Sequence, residues 1–228
     1  MRKLLMLCLL GFGPGLHAQF NERPVMHLQS EDKKPINWGY YLGFNQYDFK
    51  FEYRDNLPDI LVQKSTGFNV GLIGELRINQ FLDIRFEPGL LYTNRLLGYQ
   101  TLSIEARFRE TRSTYITFPL LAKVSTKRIG NWKPYLVGGG SMAYNLGSNE
   151  DSPDDNSSGT FRLKRQVFNY ELGFGIDLYL EYFKFSPSIR GVFALTDELV
   201  PDNDPNSPWT GNIANMKTRG LFVNFTFE

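Results

Sequence analysis

The 228 residues carry 25 Lys and Arg against 24 Asp and Glu, a formal net charge of +1, with 15% aromatics, one Cys and two His. That balance offers no basic surface for nucleic acid. A single Cys excludes an internal disulfide framework, and the length suits one domain.

Residues 1–18, "MRKLLMLCLLGFGPGLHA", have a basic start (Arg2, Lys3), an apolar run from Leu4 to Phe12, and Ala18 before Gln19. This predicts a secretory signal peptide cleaved after Ala18. The run is too short for a membrane helix, which needs about 20 apolar residues. "LMLC" lacks the small residues that precede a lipidated Cys, which argues against a lipoprotein at Cys8. Cleavage would remove the only Cys and leave 23 basic against 24 acidic residues. Residues 19–35 are polar, hold two prolines and show no period, so they are expected to form a periplasmic tether.

Residues 36–228 are expected to form the barrel, because period-two patterning dominates from Ile36 onward. In the first strand Trp38, Tyr40, Leu42 and Phe44 oppose Gly39, Tyr41, Gly43 and Asn45. Tyr47, Phe49, Phe51 and Tyr53 then alternate with charges, a change of side that predicts a bulge near Asn45–Tyr47. The second strand (about 67–78) sets Phe68, Val70, Leu72 and Leu76 against Asn69, Gly71, Glu75 and Arg77. A tight turn at Asn79–Gln80 leads to the third, which sets Leu82, Ile84 and Phe86 against Asp83, Arg85 and Glu87 and continues to about Tyr92. Further strands are expected in "STYITFPLLAKVST", "KPYLVGGGSMAYNL" (diluted by Gly138–Gly140), the segment from Phe168 to Leu178, "FKFSPSIRGVF" and the closing stretch from Leu221 to Phe227. Pro88, Pro119 and Pro187 fall inside these strands, so bulges or breaks are expected there.

Eight strands of about 9–14 residues match the length that a tilted strand needs to cross a bilayer. Short links follow the even strands. Long, turn-rich ones follow the odd strands, including "GSNEDSPDDNSSG" and "PDNDPNSPWTGN". The predicted fold is all-β, an eight-stranded antiparallel up-and-down transmembrane β-barrel in the cell outer membrane, with both termini periplasmic. A soluble barrel or sandwich is the alternative, and three features oppose it. Gly39, Gly43, Gly71, Gly89, Gly173 and Gly175 lie on the charged face, where a narrow tube needs small residues. The charges there are of mixed sign (Glu75, Arg77, Asp83, Arg85, Glu87, Lys123, Glu171, Asp177 and Arg190), as a self-neutralising lumenal network requires. Trp38, Tyr40, Tyr53, Tyr92, Tyr135, Tyr144, Tyr179 and Tyr182 fall near strand ends, where interfacial belts sit.

Catalysis finds little support. His17 leaves with the signal and His27 lies in the tether, so no imidazole or thiol remains in the barrel for nucleophilic chemistry. Asp83 and Glu87 could do acid–base work, but matching cations on the same face read as a salt-bridge network. The acidic stretches Glu150–Asp155 and Asp202–Asn206 lack the spacing of a calcium loop, and "VGGGSMA" lacks the ending of a phosphate loop. No cofactor, metal, nucleic acid or small-molecule substrate is expected. Eight strands leave no open pore. Loop residues Asp154, Asp155, Asp202, Asp204 and Trp209 are candidates to face a protein partner.

The strings "NWGYYLGFNQYDFKFEY", "GFNVGLIGELRIN", "LDIRFEPGLLY", "STYITFPLLAKVS", "SNEDSPDDNSSGTFR", "YELGFGIDLYLEYFKFSPSIRGVFALTDELV" and "DPNSPWTGNIANMKTRGLFVNFTF" resemble the PorT/SprT proteins of Bacteroidota, from about Asn37 to Phe227. The loop strings are the discriminating part. The resemblance implies a non-enzymatic outer-membrane barrel of the type IX protein secretion machinery, which also serves gliding motility. Its partners would be outer-membrane lipid and other proteins of that system. A generic OmpX-like structural or adhesive barrel is the alternative. A lipid-modifying enzyme is a third reading, opposed by the missing histidine.

Overall fold

A computed structural model describes residues 25–30, 33–55, 58–100, 102–103 and 106–228. The expected signal peptide (1–18) and tether residues 19–24 and 31–32 lie outside the described residues. The strands are β1 (Ile36–Tyr53), β2 (Leu61–Lys64), β3 (Thr66–Arg77), β4 (Leu82–Phe86), β5 (Gly89–Gly98), β6 (Phe108–Ser125), β7 (Trp132–Asn145), β8 (Gln166–Tyr179), β9 (Lys184–Ala194) and β10 (Ile213–Phe227). All pairings between them are antiparallel. β2–β3 and β4–β5 are each one wall strand in two lengths, so the ten form eight staves. β1 pairs with both β3 and β10, which closes the ring.

The interruptions have local causes. Lys64 faces Arg95 while Phe68 faces Tyr92, so β2–β3 holds one residue more than β5 opposite it, a bulge around Ser65. The lapse between β4 and β5 falls at Glu87–Pro88, opposite Phe118–Pro119. Glu87 N–H still donates to Pro119 O (3.1 Å), and Pro88 O accepts from Leu72 N (2.9 Å). Pro119 sits within unbroken β6, and pairing of β8 with β9 lapses between Gly175–Ser188 and Leu178–Phe185, around Pro187. Prolines that cannot donate thus sit where the ladder pauses, and register is kept without a bulge.

The bulge expected near Asn45–Tyr47 does not occur. Pairing of β1 with β10 runs without a shift from Tyr40–Phe227 to Glu52–Asn215, and odd positions of β1 keep facing inward. What changes is the chemistry of the inside. Toward the long-loop end Phe49, Leu97, Tyr99, Phe161, Leu163, Leu199, Ile213 and Met216 form an apolar core. A waist of Tyr47, Leu91, Tyr115, Val167, Val192 and Phe222 lies in the middle of the tube. The ion-paired network around Glu75 occupies the short-turn end. Strands also run beyond the expected ends: β5 reaches Gly98, and β1 and β6 are 18 residues each.

Outside, the even positions of β1, β3, β6, β7 and β8 expose Leu42, Leu72, Leu120, Leu136, Leu172 and Phe174 around the wall. An apolar belt of that extent would aggregate in water and is matched to hydrocarbon. At the short-turn end, Asn79 Oδ1 accepts from Phe81 N (2.8 Å) and Leu82 N (2.9 Å), which fixes the first turn.

This arrangement predicts that two kinds of leucine behave differently. Leu97→Ala or Leu163→Ala, in the inner apolar core, should cost about 2–5 kcal/mol. Leu172→Ala on the outer wall should cost distinctly less, because lipid fills the space. Urea titration of the vesicle-embedded protein measures both, and equal losses would contradict the assignment of faces.

Candidate functional site

The inside of the short-turn end is built from cross-strand neighbours. Register places Glu75 opposite Arg85 and Asp83 opposite Lys123. Arg85 forks onto Glu75 Oε2 through Nε (2.9 Å) and Nη2 (2.6 Å). Lys123 Nζ joins the same carboxylate (3.1 Å) to Asp177 Oδ2 (2.7 Å), and Ser186 Oγ donates to Asp177 Oδ1 (2.7 Å). Lys184 lies 3.5 Å from Glu75 and pairs with Glu228. A second group links Arg190 to Glu87 (2.6 Å) and Glu171 (3.0 Å), and Arg85 bridges the two groups through Glu87 at 3.4 Å. Arg77 and Asp83 pair at 3.6 Å.

All nine charged residues nominated from sequence therefore face inward and meet. Lys184 and Glu228 join them unforeseen, and Arg95 and Lys133 are further inward cations outside this network. Lys184 shares the face of Ser186 and Arg190, so its parity marked it. Arg95 lay beyond the assumed strand end at Tyr92, and Glu228 follows the last alternating residue.

Aromatic rings need the glycines. A Cβ at Gly89 would lie 2.1 Å from Tyr41 Oη, and one at Gly175 would lie 2.5 Å from the Tyr135 ring. Tyr41 thus crosses Gly71 and Gly89, while Tyr135 crosses Gly175 and lies beneath Lys123 (4.5 Å) and Arg85 (5.5 Å). What remains of the lumen at this level is a void of about 10 Å³ bounded by Tyr41, Glu87, Glu171 and Arg190. It has room for about one water.

The expected aromatic belt needs correction. Trp38, Tyr40, Tyr92, Tyr144 and Tyr182 are exposed on the outer wall. Tyr135 and Tyr179 are buried inside, because strand parity and not nearness to a strand end decides the face. Tyr179 lies under the Arg128 guanidinium at 3.7 Å. Tyr53, half-buried above the bilayer, accepts from Ile60 N–H (2.9 Å).

The two long loops interlock instead of projecting freely. Asp202 Oδ1 accepts from Asn156 N (3.3 Å) and Nδ2 (2.9 Å), and Asp155 Oδ2 accepts from Asn203 N (3.1 Å). The Ser157 hydroxyl, then backbone amides, hold the Asp155 carboxyl below the usual carboxylate range. Trp209 Nε1 donates to Ala106 O (3.3 Å), with Arg109 over its ring. Asp155, Asp202 and Trp209 are thus committed within the cap, and only Asp154 and Asp204 of the five loop candidates remain exposed. Beneath the cap, buried Glu198 accepts from Thr218 N (2.8 Å) and Oγ1 (2.9 Å), and Arg95 Nη1 donates to the same hydroxyl (3.2 Å). Burial raises the Glu198 carboxyl above its ordinary range.

Two predictions follow from these contacts. Lys123→Met leaves Asp177 without its ion-pair partner and removes one of the three cations on Glu75, and should cost about 3–5 kcal/mol. Adding Asp177→Asn should return part of that loss, and a strictly additive double mutant in urea titration would refute the coupling. For Glu198, the raised value means that the folded protein binds the proton more tightly than the unfolded chain. The associated stability is full below the ordinary Glu range and is lost as pH rises through the folded-state value. Glu198→Gln should therefore be more stable than the parent at neutral pH and lose that advantage at acid pH, read from urea midpoints at the two pH values.

Residues 17–200 match the model of the outer membrane protein beta-barrel domain. Similar solved structures include Neisserial surface protein A (13% identity, TM-score 0.44, covering 85% of this chain and 98% of that one). OprG from Pseudomonas aeruginosa aligns at 12% identity with a TM-score of 0.45, covering 84% and 92%. Ail of Yersinia pestis, in complex with the heparin analogue sucrose octasulfate, aligns at 12% and 0.39, covering 83% and 96%. No curated protein matches the sequence.

Proposed function

Because this chain belongs to the outer membrane protein β-barrel domain family and resides in the outer membrane, we propose that it works there through protein contacts, as a non-enzymatic component of the type IX secretion machinery. The observation that carries the first half is the filled lumen. Ionic cross-links fill one end and an apolar core under interlocked loops fills the other, among the described residues. The two acids considered for acid–base work are paired: Glu87 is held between Arg85 and Arg190, and Asp83 lies beside Arg77. Activity is thereby left to the rims and the wall.

The secretion role rests on the resemblance of the strand and loop strings to PorT/SprT proteins. The most discriminating strings, "SNEDSPDDNSSGTFR" and "DPNSPWTGN", supply the cap residues Asp155, Asn156 and Trp209. An OmpX-like structural or adhesive role is the second reading, favoured by the family placement and by the exposed acids Asp154 and Asp204.

Deleting the gene should leave cargo with C-terminal sorting signals in the periplasm, and normal secretion in the deletion strain would end the secretion reading. Deleting whole loops is a poor discriminator, since Phe161, Leu163, Leu199 and Ile213 belong to the core. Asp154→Lys with Asp204→Lys spares that core. Lost surface adhesion with secretion intact would favour the second reading.

A further inference from the structure

The short-turn mouth is electrostatically unlike the rest of the lumen. A cavity of about 660 Å³ lies there, lined by Lys33, Arg77, Lys127, Arg128 and Lys133, with no carboxylate among its described lining residues. Lys133 is 4% exposed and lies across the ladder from Asp177, yet its ammonium makes neither a hydrogen bond nor an ion pair among the described residues. The nearby acids are engaged elsewhere: Asp177 by Lys123 and Ser186, and Asp83 beside Arg77. A buried ammonium in direct contact with no acceptor is unfavourable, so this one has room for an anion from outside the barrel.

The cavity is also built. Arg128 is fixed by Gly130 O (2.8 Å), Asn131 Oδ1 (3.0 Å) and His27 O, and Asn131 Nδ2 donates to Val25 O (2.8 Å). Residues 25–28 are thereby clasped to the turn before β7, and Met26 lines one wall. Around this basic opening Ile78, Phe81, Ile129 and Trp132 are exposed. Ile78 and Trp132 continue the outward apolar faces of β3 and β7. Cations beside a greasy rim, at the level of Trp38 and Tyr182, match the head-group boundary of the periplasmic leaflet.

We propose that this cavity holds the phosphodiester head group of an anionic glycerophospholipid from the periplasmic leaflet, its acyl chains lying along the wall below Ile78 and Trp132. Lys133 and Lys127 meet the phosphate oxygens, and Arg77 and Arg128 shape the walls. A volume of this size exceeds the need of inorganic phosphate and falls in the range of pockets for larger ligands. An acidic peptide would not need the apolar rim.

The test uses the processed full-length chain in mild detergent, read by native mass spectrometry with phosphatidylglycerol, phosphatidylcholine, inorganic phosphate or a glutamate-rich peptide added. The wild type should retain phosphatidylglycerol about tenfold better than phosphatidylcholine, about 1.4 kcal/mol. Lys127→Gln with Lys133→Gln should abolish that preference while heat-modifiable migration shows a folded barrel, and Lys50→Gln at the opposite end should keep it. If the double variant does not fold, Lys127→Gln alone, on the exposed turn, should lose part of the preference. Equal retention of the two lipids, an unchanged preference in the variants, or competition by inorganic phosphate or the peptide at the lipid's own concentration would overturn the assignment.

Discussion

The structure depends on charge neutrality inside a tube too narrow to admit bulk water. Within the bilayer a lumenal carboxylate cannot reach the aqueous phase, so its cation must come from a neighbouring stave. Glu75 is the node: Arg85, Lys123 and Lys184, from three other strands, converge on it. Such a node constrains register, because a slip of one residue in any of the four strands would turn its charged side chain toward lipid. The ionic network thus contributes specificity of strand pairing at least as much as stability.

Above that network the polarity of the inside reverses while the strands continue. In β1 the inward positions pass from Asn37 and Asn45 to Tyr47 and Phe49, and the outward ones from Leu42 and Phe44 to Asp48, Lys50 and Glu52. Where hydrocarbon surrounds the wall, apolar groups face out and polar groups face in. Where water surrounds it, the order inverts and the tube acquires a core like that of a soluble β-protein. Arg219 and Lys64 converge on Asp48 on this outer surface, at 2.7 and 3.0 Å. The level at which the pattern changes, near Gln46, marks the upper edge of the apolar belt.

That inversion explains what the sequence made legible. Alternation of residue type revealed the staves, their number and the inward side of all nine nominated charges, since period two is a local property. The same alternation misled at Asn45–Tyr47, where a change of surroundings imitates a change of parity. Tyr179 was misplaced because nearness to a strand end was weighed above the parity it shares with Asp177, and Tyr135 because the glycines after it dilute the alternation of its strand. The commitment of Asp155, Asp202 and Trp209 to the cap depends on contacts between loops some 46 residues apart, and no local pattern encodes those.

The two ends close the barrel by different physics, and the difference bears on where it can act. At the long-loop end the carboxylates of Asp155 and Asp202 are consumed by loop hydrogen bonds, and side chains from both long loops fill the core beneath. That cap is self-sufficient, and it offers a partner only its shape and a few outward acids. At the short-turn end the network of Glu75 is satisfied, but the rim beyond it carries Lys33, Lys127 and Lys133, which make no ion pair among the described residues. An unbalanced field at a greasy edge is a standing attraction for anions at the membrane surface, where screening is weakest near partly buried charge. The short-turn rim, more than the sealed lumen or the self-contained cap, is therefore the part of this barrel whose energy changes most when something binds.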